Sequence, residues 1–243
     1  MYFAPGATHA PHHIPKEWAD KYKGKFDQGW DKLREETFAR QKTLGVTPQE
    51  CELTKRPVEI PAWDAESAEL KPVLARQMEV YVGFFEFTDH HIGRLIDALE
   101  QLQVLNDTLI YYIIGDNGAS GEGTLQGTFN EILSLNGLSA FETAAFLAAR
   151  IDKFGSPESY NHYAVGWAHT MDTPYQWTKQ VASALGRHTK RYNYSLAKWH
   201  QGEGGDSSSV PSRHRYSADD PGNRTASPAL HGQWRRTGTD ARR

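Results

Sequence analysis

The stretch Tyr111-Tyr112-Ile113-Ile114-Gly115-Asp116-Asn117-Gly118-Ala119-Ser120 decides how the chain is read. Thr108 to Ile114 is a short apolar run rich in β-branched and aromatic residues, and it ends in a glycine-rich loop. The run therefore predicts a buried strand that delivers a carboxylate, Asp116, and a carboxamide, Asn117, side by side at its carboxyl end. Hard oxygen donors at that end of a strand suit a calcium or magnesium ion in an α/β enzyme. Asp-Asn-Gly also makes an ordinary turn, so the segment alone leaves both readings open.

Upstream, Met78, Val82, Phe85, Ile92, Leu95, Leu99 and Leu102 fall near one face of a helix predicted from about Leu74 to Leu102. Arg94, Asp97 and Glu100 take the other face. Asn106-Asp107 turns this helix into the strand, and helix, turn, apolar strand and glycine loop together are the grammar of an α/β sheet. Further upstream, Trp18, Tyr22, Phe26, Trp30, Leu33 and Phe38 recur at helical spacing and predict one or two amphipathic helices between residues 16 and 60. A third apolar helix is expected from Ala140 to Arg150. Pro5, Pro11 and Pro15 exclude a helix around His9, His12 and His13, which are expected on a loop leaving a strand at Met1–Ala4. These histidines read either as a polar loop or as ligands. Asp89-His90-His91 lies mid-helix and reads as surface or packing.

Composition narrows the classes. A net charge of −3 with no basic, aromatic-interleaved stripe gives no case for a nucleic-acid partner. One cysteine, Cys51, excludes an internal disulfide framework and a cysteine zinc cluster. No apolar run approaches the ~20 residues that span a bilayer. Mean hydropathy is −0.66, polar for a compact enzyme. The polarity concentrates after Ser183, where Ser, Arg, Gly, His and Pro replace apolar periodicity, and a low-order tail is expected over 184–243.

Three segments then carry a resemblance: Tyr2 to His13, Tyr111 to Ser120, and Asn161-His-Tyr-Ala-Val-Gly-Trp-Ala-His169 through Lys179. Over residues 1–183 the chain resembles a bacterial arylsulfatase, of the formylglycine-dependent sulfatase branch of the alkaline phosphatase superfamily. The resemblance implies an incomplete α/β domain, a partial alkaline phosphatase-like sulfatase domain with a mixed sheet flanked by helices. It implies Asp116 and Asn117 as two ligands of a divalent cation, calcium with magnesium as the alternative. It implies His12, with His13 as the neighbouring register, as a contact to the sulfate ester, and Lys179 as a second contact that assists the leaving oxygen. The partner implied is a small-molecule sulfate ester, with the periplasm or cytoplasm of a bacterium as the compartment of the parent enzyme.

The family's nucleophile, a formylglycine made from cysteine in a Cys-x-(Pro/Ser)-x-Arg motif, is not matched: Cys51 is followed by Glu52-Leu53-Thr54-Lys55. The paired aspartates that complete the cation site are also unmatched. The chain thus reads as an internal fragment, with Met1 inside the family's strand. Where the family has Gly-Gly-x-Arg after the lysine, this chain has Leu185-Gly186-Arg187-His188. Permitted codons for Gly186–Trp199, read one base later, spell a Gly-Gly-Thr-Arg segment, and Val210–Arg215 behaves similarly. A frameshift near Ala184 is therefore expected, with an out-of-frame tail and no turnover by the chain alone. The competing readings are a phosphate-ester hydrolase or phosphotransferase of the same superfamily, and a non-catalytic remnant.

Overall fold

The computed structural model describes residues 1–114 and 118–179, and residues 194–198 as backbone. The helices are α1 (Lys16–Asp20), α2 (Gly29–Thr43), α3 (Leu70–Gln101), α4 (Glu131–Leu135), α5 (Ala144–Ala148) and α6 (Val165–Met171). Two strands, β1 (Ile110–Ile114) and β2 (Tyr194–Lys198), pair antiparallel with Tyr112 opposite Leu196. The described residues are thus mostly helical around a small sheet, as an incomplete α/β domain would be.

The long helix α3 organises the rest. Leu70, Val73, Leu74 and Met78 repeat at three- and four-residue spacing and are buried, so the first half of the helix is the floor of the core. The helix begins four residues earlier than the apolar pattern suggests. Pro72 is harmless in a first turn, where its missing N–H would have no partner, and the Ser67 hydroxyl accepts the Leu70 N–H at 3.1 Å. The helix stops where Gln103 takes a left-handed φ of 59°. The Val104 N–H then donates to Leu99 O and the Gln103 N–H to Glu100 O, which satisfies the last carbonyls.

Against this floor pack Trp30 from α2, Trp63, and Trp167 from α6, with ring centroids 4.9–5.6 Å apart. Their indole N–H groups are not left orphaned: Trp167 donates to Leu74 O at 2.8 Å and Trp30 to Pro61 O at 3.1 Å. Gly29, at φ +80°, lies flat beneath Trp63, and a Cβ there would collide with the indole. The Arg34 guanidinium, 3% exposed, fixes α2 to the chain after α6 by donating to the carbonyls of His169, Pro174 and Tyr175.

Several expectations need adjusting. Met1–Ala4 is exposed and forms no strand among the described residues. The 140–150 helix is broken into a 3-10 turn, Ser139–Phe141, and α5. Its break is caused by Glu142, whose buried carboxylate turns inward to take the Phe129 and Asn130 N–H groups and the Thr128 hydroxyl. Thr143 then caps α5 through the Phe146 N–H. Strand β1 is not buried on both faces: Tyr111 and Ile113 are 61% and 69% exposed, because no described layer covers that side. Among the described residues no helix is long and apolar enough to cross a membrane.

Candidate functional site

The loop that follows β1 is held from two sides. The Ala119 N–H donates to Asp172 Oδ1 at 3.0 Å, and the Ser120 N–H donates to the Tyr163 hydroxyl at 3.1 Å. Gly118 has φ +93°, and a Cβ there would lie 3.3 Å from Asp172 Oδ2 and 3.2 Å from the Lys179 nitrogen, so only glycine lets the loop run this close. Asp116 and Asn117 themselves lie outside the described residues. Their donor set, one carboxylate and one amide oxygen, fits a hard divalent cation, and the buried Asp172 carboxylate adds negative charge beneath the adjoining backbone.

Lys179 joins this loop through its backbone. Its N–H donates to Ala119 O at 2.8 Å, and residue 179 bridges Ser120 in parallel fashion. Its side chain borders a hollow shared with Glu122, Leu125, Val165 and Trp177. Its positive charge reaches both Glu131 and His162, where it favours loss of the proton.

His12 lies on the proline-flanked loop, as expected, but it is 1% exposed. Its ring stacks on Tyr163 at 5.4 Å and 13°, meets Tyr81 edge-on at 5.1 Å, and lies 5.4 Å from His162. Burial, aided by the neighbouring imidazoles of His162, His9 and His13, holds its pKa well below the ordinary histidine value. His12 is therefore a neutral imidazole, and its Nδ1 has no hydrogen-bond partner among the described residues. His13, the alternative register, points elsewhere: its Nε2–H donates to Ser159 O at 2.6 Å. Tyr163 thus connects the two regions, since its hydroxyl takes the Ser120 N–H while its ring covers His12. The histidine loop and the end of the strand loop meet at this residue, and Lys179 joins the strand loop one step away through Ala119 and Ser120.

Three residues that share no motif complete the neighbourhood. Glu122, Glu131 and His162 each bring one potential ligand atom, all within 4.8 Å of one another. Glu122 sits between Gly121 and Gly123 and accepts the Ser120 hydroxyl at 2.8 Å. Glu131 opens α4 and is buried; burial first, then the neighbouring Glu122 charge, raises its pKa. His162 is buried, and burial lowers its pKa to about 4. Its Nδ1 lies 2.9 Å from Tyr163 O, which fixes the proton on Nδ1 and leaves the lone pair on Nε2. The glycine flanks of Glu122 were the only local signal for this group; the three positions span 41 residues and converge only through the fold.

The remaining candidates are ordinary. His90 rests on Trp18 at 5.2 Å and His91 on Phe87 at 4.4 Å, so Asp89-His90-His91 supplies packing, as its mid-helix position suggested. Cys51 is half-buried on the loop between α2 and α3, and its sequence surroundings do not fit a formylglycine precursor.

Comparison with known proteins identifies the family. The sequence pattern of the family described as Sulfatase matches residues 1–202. An uncharacterised sulfatase of Schizosaccharomyces pombe is 31% identical over 176 residues, covering 71% of this chain and 30% of that protein. An arylsulfatase of Klebsiella aerogenes is 28% identical over 180 residues, covering 74% of this chain and 36% of that protein. The chain spans about a third of the length of the curated relatives it matches. With a match that covers most of its length, and with the strand loop, histidine loop and Lys179 gathered at one place, the chain belongs to the sulfatase family, the hydrolases of sulfuric esters.

Proposed function

We propose that this chain supplies part of the site of an arylsulfatase-type hydrolase acting on small-molecule sulfate esters. In this reading Asp116 and Asn117 ligate a divalent cation, calcium with magnesium as the alternative, and His12 and Lys179 bear on the sulfate group. The observation that carries it is the convergence at Tyr163, which touches both the loop that follows Asp116-Asn117 and the ring of His12. When bound, the cation neutralises charge on the ester oxygens. Lys179 adds a fixed positive charge beside the same loop, where the departing oxygen gathers electron density. His12 orients an N–H toward the ester as a neutral donor; an anion placed against it opposes the effect of burial and raises its proton affinity. The Tyr81, Phe84 and Tyr163 rings pack around that imidazole and hold its plane.

The attacking group is not among these residues. Cys51 lacks the required motif, so no step is assigned to a formylglycine here. The frameshift reading of residues 184–243 falls outside the described residues except for 194–198, and the gene's nucleotide sequence tests it.

The test is calorimetric titration of calcium into the full chain, paired with a p-nitrophenyl sulfate assay. Saturable calcium binding that disappears in Asp116→Ala, protection by sulfate that disappears in Lys179→Ala, and no turnover above background are expected. Calcium binding that persists in the Asp116→Ala/Asn117→Ala double variant would overturn the cation assignment. Turnover that survives purification would overturn the account of the nucleophile.

A further inference from the structure

We propose that Glu122, Glu131 and His162 form a second cation site, distinct from the strand-end pair, that takes a divalent first-row transition ion such as zinc. The ligands are one ring nitrogen of His162, with Nε2 the one that the Tyr163 carbonyl leaves free, and one carboxylate oxygen each from Glu122 and Glu131, with water in the remaining positions.

The geometry is close to what such an ion requires. Donor atoms around zinc, at bond lengths of about 2.0–2.2 Å, stand roughly 3–3.5 Å apart. The three here are already within 4.8 Å, so closing on an ion needs movements on the order of 1 Å. Glu122 can supply that movement, because it rides between two glycines on a half-exposed turn. The other two ligands are rigid. Glu131 and His162 are 4% and 1% exposed, and the chain segments that carry them are bonded together, through Thr128 with His162 and Glu131 with Tyr160.

The chemistry favours a nitrogen-tolerant ion over calcium. Calcium takes oxygen ligands, whereas a His–Glu–Glu set suits zinc and its first-row neighbours. Ligating histidines commonly donate their second ring N–H to a carbonyl, which orients the ring and raises its basicity. His162 does so toward Tyr163 O at 2.9 Å. Burial keeps this imidazole unprotonated at neutral pH, so no proton competes for the lone pair. Burial first, and then the neighbouring Glu122 carboxylate, raises the proton affinity of Glu131, and a divalent ion bound between the two offsets both effects. One ammonium nearby, Lys179, leaves the cluster net negative.

A second observation points the same way. The Nδ1 of His12 is enclosed and unpartnered among the described residues, in a ring 5.4 Å from that of His162. Buried polar atoms of this kind usually have a partner. A water on the ion provides one.

The site needs neither Asp116 nor a nucleophile, so its test is independent of the sulfatase reading. Cobalt(II) is titrated into the full chain and followed by visible d–d absorption, with zinc titrated by calorimetry. One ion per chain is expected, not displaced by a large excess of calcium. Glu131→Gln and His162→Gln should each weaken binding by about tenfold or more with unchanged far-UV circular dichroism, while Asp116→Ala leaves it intact. The absence of saturable binding by the parent chain, unchanged affinity in both variants, or loss of binding in Asp116→Ala or His90→Ala/His91→Ala would each overturn the proposal. Should the two buried variants fail to fold, Glu122→Gln on the glycine turn decides it: unchanged affinity there refutes the site.

Discussion

Acidification is the perturbation that most directly questions the buried imidazoles. His162 has a folded-state pKa of about 4 against an ordinary value of 6.5, and His12 is displaced in the same direction. For a base whose pKa is depressed on folding, the unfolded chain binds more protons, so stability falls as pH drops through the unfolded value and levels off below the folded one. The window runs from about pH 6.5 down to about pH 4 for His162, and His12 contributes in the same direction. A gap of roughly 2.5 pH units, at 1.36 kcal/mol each, amounts to about 3 kcal/mol from His162 alone. Glu131 opposes this: its pKa is raised, so protonation favours the folded form as pH falls through that raised value. Asp20, whose pKa is lowered chiefly by its bond to Lys16, has a side chain 37% exposed, and solvent screening leaves it little influence. Urea unfolding of the full chain, followed by far-UV ellipticity from pH 7.5 to 4.5, measures the balance. A midpoint that falls steadily below pH 6.5 is expected, with a shallower slope in His162→Gln. A flat profile, or an unaltered slope in that variant, would refute the assignment of a neutral, desolvated imidazole.

Substitutions at two positions test the clamp that holds the candidate site to α3. Gln77, fully buried, donates to Gln126 O at 2.9 Å and accepts the Ala164 N–H at 3.0 Å, joining the segments that carry Glu122 and His162. Gln77→Leu orphans both backbone groups and should cost about 2–5 kcal/mol in urea unfolding; a loss under about 0.5 kcal/mol would show that the clamp is dispensable. Gly127, at φ +71°, presses on the same carboxamide, and a Cβ there overlaps it, so Gly127→Ala should destabilise by about 2 kcal/mol or more. Combined with Gln77→Ala, which vacates that space, Gly127→Ala should cost less than alone, as a double-mutant cycle would reveal.

The parts of the fold that were legible in the sequence are those written in local periodicity. The apolar repeat of α3, the strand before Gly115 and the proline-bounded histidine loop all depend on nearest neighbours, and each sits where its pattern placed it, give or take a few residues. The broken helix at 140–150 was not legible, because Glu142 is recruited by Thr128, Phe129 and Asn130, twelve or more residues away. The exposure of Tyr111 and Ile113 was equally hidden, since an apolar run does not declare how many layers cover it. At the candidate site, the nearness of His12 to the strand loop followed from family resemblance, not from spacing. Its neutrality followed from neither: it arises from Tyr81, Phe84, His162 and Tyr163 closing around it. The Glu122–Glu131–His162 grouping showed in the sequence only as the glycine flanks of Glu122, because its members are neighbours only in space.

The crossing of the three indoles has a spectroscopic consequence. Trp30, Trp63 and Trp167 stand with centroids within 5.6 Å and planes inclined at 56–87°. Transition dipoles this close and this skewed couple, and the coupling gives the folded chain an intense bisignate signal in the ultraviolet that isolated tryptophans lack. Because one of the three comes from α2 and another from α6, the signal vanishes when those helices separate, even if each stays helical. The molecule carries its own optical gauge of tertiary order, with no label required.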